Sequence, residues 1–253
     1  MKTLSAFCLS AGLALAALAP AGAEELKLYA AAGVKAPVEQ MAADFERSTG
    51  HKIALVFDTA GAAEQRFLAD SGATFLVTTK LRVNAAEKKG KLQQGTTSVV
   101  GDTVGGFAAP PGHPKPDIST PAKLKAALLA APHIVFSDPV RGATVGAHFL
   151  KVIEALGIKD QVLKKATLAK DGVETMRLVL DGKAELAVTQ LSEIIQANPG
   201  ALVGPFPPEF DLATTYALWL RKDASPGALA FAKLITSPAE RAKLAEHGLR
   251  APQ

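Results

Sequence analysis

The chain predicts an α/β fold of two lobes, each a mostly parallel sheet flanked by helices, joined by two crossing segments. Three features carry that prediction. Strand, small-residue turn and helix follow one another twice near the start, over residues 25–50 and again from Lys52. The densest proline cluster, Pro110-Pro111-Gly112-His113-Pro114-Lys115-Pro116, then interrupts the chain before a second run of alternating strands and helices. A late strand and two closing helices can return to the first lobe, so the chain crosses between lobes twice. The first lobe is expected to hold residues 24–104 and 205–253, the second 105–204.

Residues 1–23 have the form of an export signal, with Lys2 as the positive region, an apolar stretch over 4–18 and Ala21-Gly22-Ala23 at the cleavage point. That stretch is shorter than the ~20 residues a spanning helix needs, so a mature chain without membrane insertion, exported to the periplasm, is expected. The first strand, 25–29, leads through a turn at 30–37 into a helix whose apolar spacing is Val38, Met41, Ala42, Phe45 and whose stop is Gly50. The second strand, 52–57, passes through Asp58-Thr59-Ala60-Gly61 into a helix from about Ala62. Phe75-Leu76-Val77-Thr78 reads as a buried strand, and Lys88, Lys89 and Lys91 as the solvated face of the polar helix after it. A longer strand is expected over 98–109.

In the second lobe Thr120 can cap and Pro121 open a helix running to about Ala130. A short apolar strand at 134–137 feeds a turn over 138–146 and a helix over 147–156 that Gly157 closes. A helix over 173–180 precedes a strand at 184–189. The run 214–220, holding Tyr216 and Trp219, is strand-like, and Ser225-Pro226 and Ser237-Pro238 start the last helices.

Several classes of function are disfavoured. The net charge of +4, about +3 without the signal, is too small and scattered for nucleic acid, and aromatic stacking platforms are few. Cys8 lies inside the signal, so neither a disulfide framework nor a cysteine metal site is expected. His51, His113, His133, His148 and His247 are widely separated with no metal-ligand spacing, and no cofactor is expected. G-x-S-x-G, P-loop and G-x-G-x-x-G patterns are absent. Asp138 and His148 are the residues an exported enzyme would have to use, with nothing assembled around them.

The turns are more informative. Each carries the chain from a strand's carboxyl end to a helix N-terminus, where free N–H groups and the helix dipole favour an anion. Gly33 permits close backbone approach, with Lys35 beside it; Thr59 offers a hydroxyl, and Ala60 and Gly61 their N–H groups. Thr78 closes the third strand at the same edge. In the second lobe Arg141 can grip a carboxylate beside the small residues Gly142, Ala143 and Thr144, and Gln190 can donate and accept at once. In open α/β sheets ligands bind at this edge.

These motifs resemble a known family, the periplasmic solute-binding proteins of ABC importers, in the branch typified by molybdate-binding proteins. The resemblance spans residues 26–248 and is carried by Ala30-Ala31-Ala32-Gly33, Asp58-Thr59-Ala60-Gly61, Ser137-Asp138-Pro139 with Gly142-Ala143, Asp181-Gly182-Lys183-Ala184-Glu185 before Val188-Thr189-Gln190, and Ser237-Pro238-Ala239-Glu240. It implies a type II two-lobe fold with a two-stranded hinge, closing on an oxyanion held by hydroxyls and backbone N–H groups. It also implies a monomer that hands a small anionic solute to an importer permease. Molybdate binders present serine at the first and second turns and a tyrosine in the later loop, where this chain has Gly33, Thr59 and Gln190. A small organic acid or another oxyanion therefore stands beside molybdate as the expected ligand. An exported enzyme and an adhesin or sensor component on the same scaffold are the rival readings.

Overall fold

A computed structural model describes residues 22–92 and 95–251. The export signal read over residues 1–23, with Cys8, lies almost wholly outside the described residues. Strands β1 (Glu25–Ala31), β2 (Lys52–Asp58), β3 (Phe75–Thr79), β4 (Gly95–Ala108), β5 (Ile134–Ser137), β6 (Ala166–Ala169), β7 (Leu186–Gln190), β8 (Leu202–Pro205) and β9 (Ala213–Arg221) pair in the order β2-β1-β3-β9-β4-β7-β5-β6, with β8 also on β4. Helices α1 (Lys35–Thr49), α2 (Ala60–Ala69), α3 (Lys80–Lys88), α4 (Pro121–Ala130), α5 (Thr144–Ala155), α6 (Lys159–Leu163), α7 (Gly172–Leu180), α8 (Leu191–Ala197), α9 (Pro226–Ile235) and α10 (Arg241–Glu246) cover the faces.

Two parallel groups, β2-β1-β3 and β7-β5-β6, are linked by antiparallel pairs involving β4 and β9. Strand β4 is the connector. Its first part pairs with β9 as far as Val104 opposite Ala213, and its end pairs with β7 from Gly105 opposite Gln190. At the switch Gly105 N–H donates to Leu212 O (3.0 Å), and Phe206 N–H donates to Gly105 O (3.3 Å). The outgoing and returning crossings are thus tied side by side.

Apolar packing follows the same division. On one side Phe45 and Phe75 both meet Phe231, bringing α1 and α9 onto β3, while Phe67 of α2 meets Trp219 on the opposite face. On the other, Phe107 meets Phe206 and Phe136 meets Phe149 of α5, while Met176 and Ile194 bring α7 and α8 onto Val135 and Ala187. Helices on both faces of mostly buried strands are the doubly covered arrangement that parallel sheets require.

Cap chemistry sets the helix starts. Thr120 Oγ1 accepts from Lys123 N–H with Pro121 first in α4, and Ser225 Oγ from Ala228 N–H with Pro226 first in α9, as the sequence predicts. Elsewhere boundaries differ. Helix α2 opens two residues early, at Ala60, because Thr59 caps it, and α5 opens at Thr144 rather than Ala147. The short elements α6, β6 and α8 fall in stretches not assigned from sequence. Strand β6 is a four-residue edge strand, and α8 follows β7 with no glycine or proline to punctuate the change.

Candidate ligand cleft

Where the two halves of the sheet meet, the carboxyl ends of β1, β2, β5, β6 and β7 converge on one small cavity. Each of those strands hands over to a helix or 3-10 turn whose first residues line it. They are Ala31 and Ala32 after β1, Thr59 and Ala60 after β2, Ala143 and Thr144 after β5, Gly172 after β6, and Gln190 after β7. Side chains of Ser137, Val145, Thr189, Glu193 and Tyr216 complete the wall. The cavity measures ≈ 30 Å³. One water needs about 10–15 Å³ on this measure, so the space suits a group of a few heavy atoms.

The first turn of α5 has no side-chain cap, and its residues Thr144 and Val145 line the cavity at the positive end of that helix. Among the described residues no lysine or arginine lines the space. Positive potential in the space therefore comes from aligned backbone dipoles, each worth ~0.3–2 kcal/mol toward a negative charge according to burial.

One corner differs. Glu193 Oε2 accepts from Gln190 N–H (3.1 Å) and from the Thr189 hydroxyl at the start of α8, and its carboxyl lies over Gly172. Burial pushes this carboxyl up to about 7, against the lowering effect of the Thr189 and Gln190 bonds; Asp171 adds a smaller rise. Gln190 is buried, its Nε2 donates to Thr214 Oγ1 (3.0 Å), and its Oε1 has no hydrogen-bond partner. Tyr216, buried beside them, is raised well above the usual phenol range by burial and then by Glu193.

Of the residues read from sequence, the structure brings Thr59, Ala60, Ala143, Thr144 and Gln190 to the cavity wall. The Thr59 hydroxyl is already used, capping Ala62 N–H (3.2 Å) and donating to Arg141 O. Gly33, Gly61, Thr78, Arg141 and Gly142 lie outside the wall. A Cβ on Gly33 would stand 2.2 Å from the Tyr216 hydroxyl, so the phenol of β9 fills the place a first-turn side chain would take. Gly61 N–H donates to Gly142 O (3.2 Å), and a Cβ on Gly61 would meet Gly142 Cα at 2.7 Å; these two glycines allow the two halves to touch. Thr78 Oγ1 donates to Ala60 O (2.8 Å), steadying the start of α2.

Arg141 corrects the expectation of a carboxylate grip on the ligand. Its guanidinium reaches Asp58 at 3.0 and 3.2 Å and donates to Lys170 O at 2.9 Å, leaving it engaged within the protein. Lys35 pairs with Glu39 (3.5 Å) in a neighbouring groove. Asp138 caps the turn over Val140 N–H (2.9 Å), and His148 Nε2 sits 2.8 Å from Phe210 O; neither lines the cavity. Among the described residues no cluster of His, Cys, Asp and Glu could hold a metal ion. Sequence reasoning missed Tyr216, Glu193 and Gly172. Tyr216 carried only a strand signal, and the other two belong to junctions at β6 and α8 that were not assigned.

Solved structures share this fold. The Azotobacter vinelandii periplasmic molybdate-binding protein superposes with a TM-score of 0.70 at 20% identity, over 90% of this chain and 100% of that one. A periplasmic thiamin binding protein gives 0.68 at 17% identity, over 90% and 83%. In sequence the chain is 29% identical to the molybdate-binding protein ModA of Azotobacter vinelandii over 207 residues, 80% of this chain and 77% of that protein. The profile described as bacterial extracellular solute-binding protein matches residues 26–250. With that match over nearly the whole described chain, the protein belongs to the bacterial extracellular solute-binding protein family.

Proposed function

We propose that this protein captures a small anion outside the cytoplasm and delivers it to the permease of an ABC importer, working as a monomeric binding protein without turnover. The carrying observation is the convergence of five strand-to-helix junctions on one cavity that, among the described residues, no cationic side chain lines. Backbone N–H groups of Ala60, Thr144 and Val145, with the Tyr216 hydroxyl, are the proposed ligand contacts; the Ser137 hydroxyl is spent on Thr175, whose own proton goes to Asp171 O. The proposed lobes are 24–104 with 205–253 and 105–204, rotating about the paired crossings at Gly105 and at 206–212. The molybdate-binding relative supports an oxyanion, while Gly33, Thr59 and Gln190 leave the anion's identity to be measured.

Permease contact is assigned to the rim of the closed cleft. Leu81 is 80% exposed and Val140 89% exposed, and each lies next to the junction where Arg82 covers Gly61 and Gly142. Among the described residues no helix is long and apolar enough to cross a membrane. The test is titration calorimetry and thermal melting of the mature chain against a panel of oxyanions and small carboxylates. A ligand at 100 times its Kd should stabilise by about 2.7 kcal/mol. Failure of every anion to bind or to raise the melting temperature sinks the proposal.

A further inference from the structure

Two acceptor-bearing side chains, Gln190 and Glu193, line the cavity alongside the helix starts. Gln190 Oε1 is buried without a partner, and beside it the Glu193 carboxyl accepts through Oε2 from Thr189 and Gln190. A fully ionised tetrahedral anion has nothing to donate to either group, and it would meet an ionised carboxylate at close range. An anion that carries its own O–H satisfies both sides of the cavity, accepting from the helix starts and donating to this corner. We propose that the cleft selects an anion bearing an O–H, of the hydrogen phosphate, phosphonate or hydroxy acid type, and that Glu193 is the residue that sets this specificity.

The inference rests on the anion-binding reading above and narrows its ligand class. Around Glu193, Tyr216 faces from β9 and Asp171 from the start of α7. In the adjoining groove Lys35 is paired with Glu39, and Arg177 with Glu174 and Asp181, so each cation there has an acidic partner. Burial favours the protonated carboxyl, so below about pH 7 Glu193 carries a proton of its own and tolerates an anion without one.

The test is calorimetry of the mature chain with inorganic phosphate and with sulfate, which match in shape and differ in the O–H. At pH 8 phosphate should bind at least about tenfold tighter, the scale of a hydrogen bond to a charged group. Sulfate keeps its charge throughout this range, and its own affinity should fall about tenfold from pH 5.5 to pH 8 as Glu193 ionises. Glu193→Gln keeps an oxygen to accept from Gln190 N–H, and should bind both anions within about threefold at every pH. Equal binding of the two anions at pH 8, a sulfate affinity insensitive to pH, or unchanged discrimination in Glu193→Gln would each overturn the proposal. Should Glu193→Gln not fold, the sulfate pH series on the native chain decides alone. Binding of neither anion at any pH overturns the proposal together with the anion reading, whereas equal binding removes only the role of Glu193.

Discussion

The two halves of the molecule touch on two sides of the cleft, and the sides use different physics. On one, Arg141 reaches across to Asp58, the Thr59 hydroxyl donates to Arg141 O, and Gly61 N–H donates to Gly142 O. On the other, the Gln196 amide donates to Gly33 O at 2.8 Å and accepts from Ala36 N–H at 2.9 Å. One side closes on a charge pair and the other on neutral amides. Asp58 is 1% exposed and is also held by Arg66 (3.1 Å) and by Thr59 N–H (2.8 Å). Opening the charged side therefore leaves the buried carboxylate paired, and Arg141, 36% exposed, can rehydrate. A latch built this way opens without stranding a charge, while the amide side needs only water to replace its bonds.

The largest expected effect comes from removing the group that both arginines share. Asp58→Ala deletes a buried acceptor of Arg66, Arg141 and Thr59 N–H at once, and should cost about 3 kcal/mol of folding stability. That is the low end for a broken buried pair, because both arginines reach solvent. Denaturant unfolding reads it directly. A loss below about 1 kcal/mol would mean that Asp58 serves closure alone, and would remove the claim that Arg66 secures it in the open state.

A smaller effect is expected on the amide side, at Gly33. Serine there places its Cβ 2.2 Å from the Tyr216 hydroxyl and 2.7 Å from the ring carbon that carries it. The phenol must shift, at a cost of about 1–3 kcal/mol for overpacking. Tyr216→Phe should recover part of that loss in Gly33→Ser, a non-additivity that marks direct contact. Additive melting shifts would show that the turn, not the phenol, gives way.

Much of this arrangement was legible in the chain, and the failures have a common cause. The strand-to-helix junctions after β1, β2, β5 and β7 declare themselves through small residues and caps, which act within a few residues of the chain. Arg141 was read as a ligand group because its partner Asp58 belongs to the other half of the sheet. Gly33 was read as a backbone seat because Tyr216, which occupies that space, comes from the returning strand β9. The signals at β6 and α8 are too short to show a period, so the sequence does not reveal Gly172 and Glu193 as site residues. Local chemistry is written locally; what crosses the cleft is not.

The smallest effects sharpen the comparison most, because they separate its two sides by salt. Arg141→Ala removes the charge pair but keeps the Thr59 hydroxyl on the residue's backbone carbonyl and the Gly61 bond to Gly142. A partly exposed pair of this kind is worth about 0.2–1 kcal/mol, so anion affinity should fall by at most about fivefold at low ionic strength. Near 1 M salt, where the screening length is about 3 Å, native and Arg141→Ala proteins should converge. Gln196→Ala removes two neutral bonds that water can replace, and should weaken the same anion by a comparable or smaller factor, unchanged by salt. Calorimetry of both variants with whichever oxyanion binds, at low and high ionic strength, makes the measurement. If Gln196→Ala proved as salt-sensitive as Arg141→Ala, the division into a charged and a neutral side would be wrong, and closure would be governed by one electrostatic field across the whole cleft.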